Sequence, residues 1–296
     1  MHHSRRDFLG GALSAVALSL TASRAFANAL GLPLAIQLYS VREQMAQDLD
    51  MALAGVAAAG FVEVEAAALP KKSAREIRAA LDKAGLRCVG AHHGYADLAP
   101  RVEELADYDA ELGAKYLLCA SPGHRPQAAA QPHGPQPFTL DDWRYNAEMF
   151  NTFSDQVAKH GLQFGYHNHI HEFDAIDGVT PYEELLRLTD PKKVTFELDC
   201  GWARVAGQDP VAIMQRHPHR FSMLHVKDFH LAEVEAGANH IPKVTELGRG
   251  DIDYRPVLAQ ARKNQQIRHA FVEQEAFDMP WQESLKVDAQ YMRRLR

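Results

Sequence analysis

The chain has 296 residues, 46% of them hydrophobic and 24% charged, a composition that excludes disordered and collagenous proteins. Its three cysteines, Cys88, Cys119 and Cys200, are too few for a disulfide framework and lack the CxxC spacing of a structural zinc site. With 32 Lys+Arg against 38 Asp+Glu the formal charge is -6 and no basic run stands out, which argues against a nucleic-acid partner.

Residues 1–27 read as an address and not as part of the fold. Ser4-Arg5-Arg6-Asp7-Phe8-Leu9 precedes a weakly apolar stretch, Gly10 to Ser23, and then the small-x-small site Ala25-Phe26-Ala27. Paired arginines ahead of Phe-Leu resemble a twin-arginine export signal. The apolar run falls short of the roughly 18 residues that a membrane span needs. Removal of 1–27 leaves 29 basic against 37 acidic residues, a formal charge of -8. The expectation is a soluble periplasmic protein with no stable membrane insertion after cleavage.

From Leu34 onward, buried strand patterns alternate with helical ones. The strands are expected at Ala35–Tyr39, Val62–Glu65, Arg87–Ala91, Lys115–Cys119, Gln163–Tyr166, Val194–Leu198, Ser222–Val226 and His269–Val272. Ser73 with Glu76 three residues on makes a capping box for a helix that stops at Gly85, and Thr180-Pro181 and Asp209-Pro210 are further helix starts. Gly60, Gly113 and Gly161 each close a helix just before a strand. Eight strands alternating with helices require parallel pairing with crossovers, so an α/β fold, a single (β/α)8 TIM barrel over 33–296, is predicted ahead of a doubly wound sheet. No GxGxxG follows the first strand to support the latter. Ser121 to Phe138, with five prolines and no periodicity, follows the fourth strand and is read as a lid or as a plain surface excursion.

Ionisable side chains recur where those strands end: Glu65, His92-His93, His167-Asn168-His169, Asp199, His225 and Glu273-Gln274-Glu275. In a barrel all such ends share the catalytic face. Imidazole and carboxylate together form the ligand set of a catalytic Zn, Mn, Fe, Co or Mg ion, and the residue types do not choose among these metals.

At these residues the chain resembles the xylose-isomerase-like TIM barrels, a family that includes sugar phosphate isomerases and epimerases and inosose dehydratases. The resemblance covers about 34–295. Its carriers include Gln37-Leu38-Tyr39-Ser40, Tyr166-His167-Asn168-His169, Leu198-Asp199-Cys200-Gly201-Trp202, Leu224-His225-Val226-Lys227-Asp228, Leu247-Gly248-Arg249-Gly250-Asp251-Ile252-Asp253 and Val272-Glu273-Gln274-Glu275. The resemblance implies one divalent ion on His167, Asp199, His225 and Glu273, with His169 an alternative to His167 as ligand or a second acid/base. Beside these ligands, Glu273, Glu275, Lys227 and His169 are expected as the catalytic residues. Epimerases of the family carry a glutamate where His167 stands, so the Tyr-His-x-His pattern looks more like the inosose dehydratase branch.

The implied activity is a metal-dependent isomerase or epimerase acting on a keto-sugar, keto-cyclitol or related carbohydrate through a metal-stabilised enolate. The alternative is a lyase that eliminates a β-substituent from a 3-keto-glycoside or inosose by the same chemistry. A non-catalytic periplasmic carbohydrate-binding barrel is the reading from another class. Lys227 is expected either to serve the reaction or to be a solvated lysine paired with Asp228. Trp202 is expected as an apolar wall or as ordinary packing, and Cys200 as a small buried residue.

Overall fold

A computed structural model of the chain describes residues 28–126, 137–234 and 241–295. The expected signal segment 1–27 and most of the proline-rich insert lie outside the described residues.

Strands β1 (Ala35–Gln37), β2 (Glu63–Ala66), β3 (Arg87–His93), β4 (Tyr116–Cys119), β5 (Gln163–His167), β6 (Val194–Asp199), β7 (Phe221–Val226) and β10 (His269–Val272) close into one barrel. Every neighbouring pair is parallel, including β1 with β10, which registers Ala35 on Phe271. Helices α1 (Arg42–Gln47), α2 (Leu49–Ala59), α3 (Ala74–Ala84), α4 (Tyr95–Leu112), α5 (Leu140–Val157), α6 (Pro181–Leu188), α7 (Cys200–Val205), α8 (Pro210–Arg216), α9 (Tyr254–Asn264) and α10 (Trp281–Arg294) complete the crossovers. The single-domain (β/α)8 barrel is therefore the fold, and the doubly wound alternative is excluded. Ser73 and Glu76 form the expected capping box, and Gly60, Gly85, Gly113 and Gly161 all take the left-handed conformation that ends a helix. No helix among the described residues is long and apolar enough to cross a membrane.

Two local departures have plain causes. The first strand stops at Gln37 because the Gln37 side chain accepts the amide of Tyr39 and turns Leu38–Val41 into a 3-10 helix. A second sheet, the antiparallel hairpin β8 (Asp228–Val234) with β9 (Pro242–Thr245), follows β7. Asp228 roots it: its carboxylate accepts the backbone amides of Phe229, Gly248, Gly250 and Ile252 at 2.9–3.1 Å. The Gly-Arg-Gly segment is needed there because a Cβ at Gly250 would stand 2.4 Å from Asp228 Oδ1 and 2.6 Å from the Phe229 carbonyl.

Most of the core lies between strands and helices, while Ala35, Val89, Tyr116, Leu118, Met223 and Phe271 form a separate small apolar cluster on the strands themselves. The C-terminal helix closes over the hairpin's root through Asp288, which is fully buried and accepts the Leu247 amide at 2.8 Å. Burial, reinforced by nearby Glu246, pushes the Asp288 carboxyl from 3.8 up to about 7. Between those values the folded chain keeps a proton that the unfolded chain releases, so stability is lost as pH rises through this window. Asp288→Asn should therefore raise the melting temperature relative to wild type more at about pH 8 than at about pH 5. An identical shift at both would contradict the assignment.

Candidate metal centre at the barrel mouth

Side chains alternate along a strand, so residues two apart share a face. Four strand ends exploit this with pairs of functional residues: His167 and His169 after β5, Glu197 and Asp199 on β6, His225 and Lys227 at β7, Glu273 and Glu275 after β10. Glu65 on β2 and His92 on β3 complete the ring. Glu65, His167, Glu197, Asp199, His225 and Lys227 are all buried, as is Glu273, whereas His169 is half-buried and Glu275 keeps 26% of its side chain exposed.

The outer layer faces the mouth. His225 Nδ1 lies 3.1 Å from Glu273 Oε2 and 3.7 Å from Asp199 Oδ2, and His167 Nε2 lies 3.9 Å from Asp199 Oδ2. Lys227 Nζ stands among three carboxylates, 3.0 Å from Asp199, 2.6 Å from Glu273 and 2.5 Å from Glu275. Asp199 is aimed by its own helix: as N-cap of α7 its Oδ1 accepts the Trp202 amide at 2.7 Å, which leaves Oδ2 for the site. Asp199 Oδ2 faces Lys227 without a directed hydrogen bond although it is buried.

The inner layer is a ring of alternating nitrogen and oxygen. His92 Nε2 lies 2.9 Å from Glu65 Oε2 and 2.8 Å from Glu197 Oε2, and His225 Nε2 lies 2.9 Å and 3.1 Å from the same two oxygens. His167 Nδ1 meets Glu197 Oε2 at 3.0 Å, and Gln37 donates to Glu65 Oε2 at 2.6 Å. Gly90 makes room for this, since a Cβ there would sit 2.7 Å from Glu65 Oε1.

The charge states follow from opposing forces. Burial raises the Glu197 carboxyl, but the neighbouring histidines, His225 foremost, hold it well below the ordinary range. Glu273 is likewise held down, against burial, by Lys227 and His225. Burial disfavours charge on Lys227 and on His225, yet the carboxylates around each raise both well above their ordinary values, and an ion bound at His225 would displace one of its protons. His92 is held up to about 9 by Glu65 and Glu197 in spite of its burial. His167 is pushed well below its ordinary value by burial and by the charge on His225, so it is neutral. A neutral imidazole is the form that ligates metal.

One donor atom each from His167, Asp199, His225 and Glu273 lies within 4.8 Å of the others, close to the roughly 4 Å spread of ligand atoms around an ion bound at about 2.0–2.2 Å. His92, His167, Glu197 and His225 meet the same limit. The expected ligand set is thus brought together, with the buried, hydrogen-bond-free Asp199 Oδ2 and two imidazoles suited to a divalent ion.

The structure redistributes several residues. Lys227 is not a solvated lysine paired with Asp228: it is fully buried against Asp199, Glu273 and Glu275, while Asp228 is taken up by four backbone amides. His93 points away from its neighbour His92 and pairs with buried Asp109 at 2.8 Å, on the wall of a cavity of about 640 Å³ beside α4. His169 touches the edge of the His167 ring, centroids 4.8 Å apart, and stands 6.1 Å from Trp202. Trp202 is buried with Lys227 Nζ 4.9 Å from its ring, so it backs the lysine as well as packing. The Cys200 thiol is pushed well above its ordinary value by burial and by Asp199, which removes it as a nucleophile. Glu197 was missed by sequence reading, although its place two residues before Asp199 in a buried strand puts it on the same face.

The fold and this mouth define a barrel with a His/carboxylate centre able to hold a divalent ion. The chain belongs to the xylose isomerase-like TIM barrel family, whose profile matches residues 53–295. It is similar to the inosose dehydratase of Geobacillus thermodenitrificans, 27% identical over 236 residues that cover 71% of this chain and 76% of that protein. It is 28% identical to the inosose dehydratase of Lacticaseibacillus casei over 51% of the chain, and spans about half, 54%, of that relative's length. A crystal structure of a sugar phosphate isomerase/epimerase from Parabacteroides distasonis superposes with a TM-score of 0.71 at 25% identity, covering 87% of this chain and 96% of that one. Similar in fold alone, at 12% identity and a TM-score of 0.65 over 87% of this chain and 95% of the other, is the IolI protein, described with a bound zinc atom.

Proposed function

We propose that the chain is a divalent-metal-dependent enzyme of keto-sugar chemistry, and that it works as a lyase or dehydratase that expels a β-substituent from a 3-keto-glycoside or a keto-cyclitol. Supporting this is one observation above the others: a ligand-competent quartet, His167, Asp199, His225 and Glu273, stands directly beside a buried lysine that grips a partly exposed carboxylate, Glu275. A Mn, Mg, Co, Zn or Fe ion held by the quartet supplies Lewis acidity, which lowers the barrier to removing a proton next to a carbonyl.

The rest is done by side chains. Glu275, the least buried carboxylate of the group, takes the α-proton, and Lys227 holds its oxygen in place and balances negative charge that develops next to it. His169, half-buried beside the His167 ring, hands a proton to the leaving group. At the end of β5 stands His167, neutral, and the carboxylate behind it, Glu197, is fully buried beneath the ring and cannot reach a substrate. Proton return to the second face is therefore poor, which favours elimination over epimerisation. Incubation of metal-loaded and chelator-stripped enzyme with 3-keto-glycosides, inososes and free keto-sugars should give, with the loaded form alone, a product lighter by the leaving group. Equal turnover of the stripped enzyme, or no turnover of any of these substrates, would contradict the reading.

We further propose that the protein acts in the periplasm after twin-arginine export and cleavage near Ala27, on an unphosphorylated carbohydrate. Changing Arg5 and Arg6 together to Lys should hold the precursor in the cytoplasm. Normal periplasmic accumulation of that variant, or Met1 retained at the exported N-terminus, would refute the processing step.

A further inference from the structure

The inner ring of carboxylates and imidazoles does not line the mouth, and the proposed reaction does not use it. Two of its contacts nevertheless bear on the metal-facing atoms. An imidazole offers one nitrogen to an ion, and the proton then sits on the other. His225 turns Nδ1 toward Asp199 and Glu273 and Nε2 toward Glu65 and Glu197. His167 does the reverse in ring chemistry but the same in direction: Nε2 faces Asp199 and Nδ1 meets Glu197. Two rings from two strands therefore present different nitrogens outward, and the inward nitrogens converge on a single atom, Glu197 Oε2, at 3.1 Å and 3.0 Å, an oxygen that His92 Nε2 also meets at 2.8 Å. Glu197 is completely buried, and its other oxygen accepts no hydrogen bond among the described residues.

We propose that Glu197 is a positioning residue that fixes the tautomer and ring orientation of both His167 and His225, so that the first coordinates through Nε2 and the second through Nδ1. The proposal rests on the functional reading above in taking the outer quartet as the ion's ligands. A carboxylate that accepts the second N–H of a ligating histidine sets its tautomer and raises its basicity, and loss of such a partner costs roughly 10-fold to 100-fold in metal affinity. Here one carboxylate serves two ligands at once. Glu65, held by Gln37, shares His225 Nε2 with Glu197 from the shorter distance, 2.9 Å against 3.1 Å, and leaves His167 to Glu197 alone among the carboxylates of the ring.

The test is a cobalt titration of the full chain, read by the visible absorption of the bound ion, together with ¹⁵N-histidine NMR of the zinc-loaded wild type. Glu197→Gln should still bind about one ion per chain but with affinity weaker by roughly 10-fold to 100-fold and an altered cobalt spectrum. Glu197→Asp, which keeps the charge, should recover part of that loss. In the zinc-loaded wild type, His167 should carry its proton on Nδ1 and His225 on Nε2. This second measurement needs no variant and stands even if the buried substitutions weaken the fold. Unchanged affinity and spectrum in Glu197→Gln, or the opposite tautomers, would overturn the role. An anomalous-diffraction peak about 2.0–2.2 Å from a Glu197 oxygen would overturn it differently, by making Glu197 a ligand in an inner site. A wild-type chain that takes up no divalent ion would instead defeat the functional reading on which the role depends.

Discussion

Purified wild-type protein should carry about one divalent ion per chain, and Asp199→Ala or His225→Ala should lose most of it. Asp199 supplies the site with the oxygen left over after Oδ1 caps α7, and His225, like His167, has one nitrogen toward each layer, its Nδ1 lying close to Glu273 at 3.1 Å. Removing Asp199 also takes away that cap, worth about 1 kcal/mol, and strips Lys227 of one of three partners. Asp199→Asn is the cleaner comparison, because its amide oxygen can still accept the Trp202 amide while the charge is lost. Elemental analysis after dialysis decides the matter. Stoichiometric metal retained in both Asp199→Ala and His225→Ala would place the ion elsewhere.

The second large effect is kinetic. Glu275→Gln should lower kcat by roughly 10²-fold to 10⁴-fold, the usual worth of a positioned acid or base, with little change in bound metal. Separation of the two readouts follows from geometry: Glu273 meets His225 and Lys227 from deeper in the barrel, whereas Glu275 meets Lys227 from the exposed side. Arg42 donates to the Glu275 backbone carbonyl at 3.3 Å, so the loop that carries the side chain is tied independently of its carboxylate. A Glu275→Gln enzyme that turns over at the wild-type rate would remove Glu275 as the base. One that loses its metal in proportion to its activity would make it a ligand.

Much of this architecture was legible before the fold was known, for reasons that can be named. Buried parallel strands are nearly continuous apolar runs, and glycine or a capping box marks several of the helix ends, so the eight strands and their order could be read directly. Charged residues at the ends of such strands are conspicuous because desolvation normally excludes them, which is how Asp199, His225 and Glu273 were found. What stayed hidden depends on tertiary contacts. Gln37 ends β1 by capping Tyr39, a contact that hydrophobic periodicity does not register. The β8–β9 hairpin depends on Asp228 gathering amides from twenty or so residues further on, which reassigned Asp228 from a salt bridge to a loop anchor. His92 and His93 were grouped as one signal, yet adjacent strand residues face opposite sides, and His93 belongs to Asp109. Glu197 escaped for the converse reason: the same period of two that separates His93 from the mouth places Glu197 with Asp199.

The central claim is that proton removal at the mouth occurs from one face and leads to elimination. Mass spectrometry of the reaction of 3-keto-glycosides and inososes in deuterated water tests it most directly. The expected result is a product lacking the β-substituent that forms faster than any epimer, with little deuterium entering recovered substrate. Rapid interconversion of two epimers, both deuterated and without eliminated product, would contradict it and would require His167 or His169 as a second proton carrier.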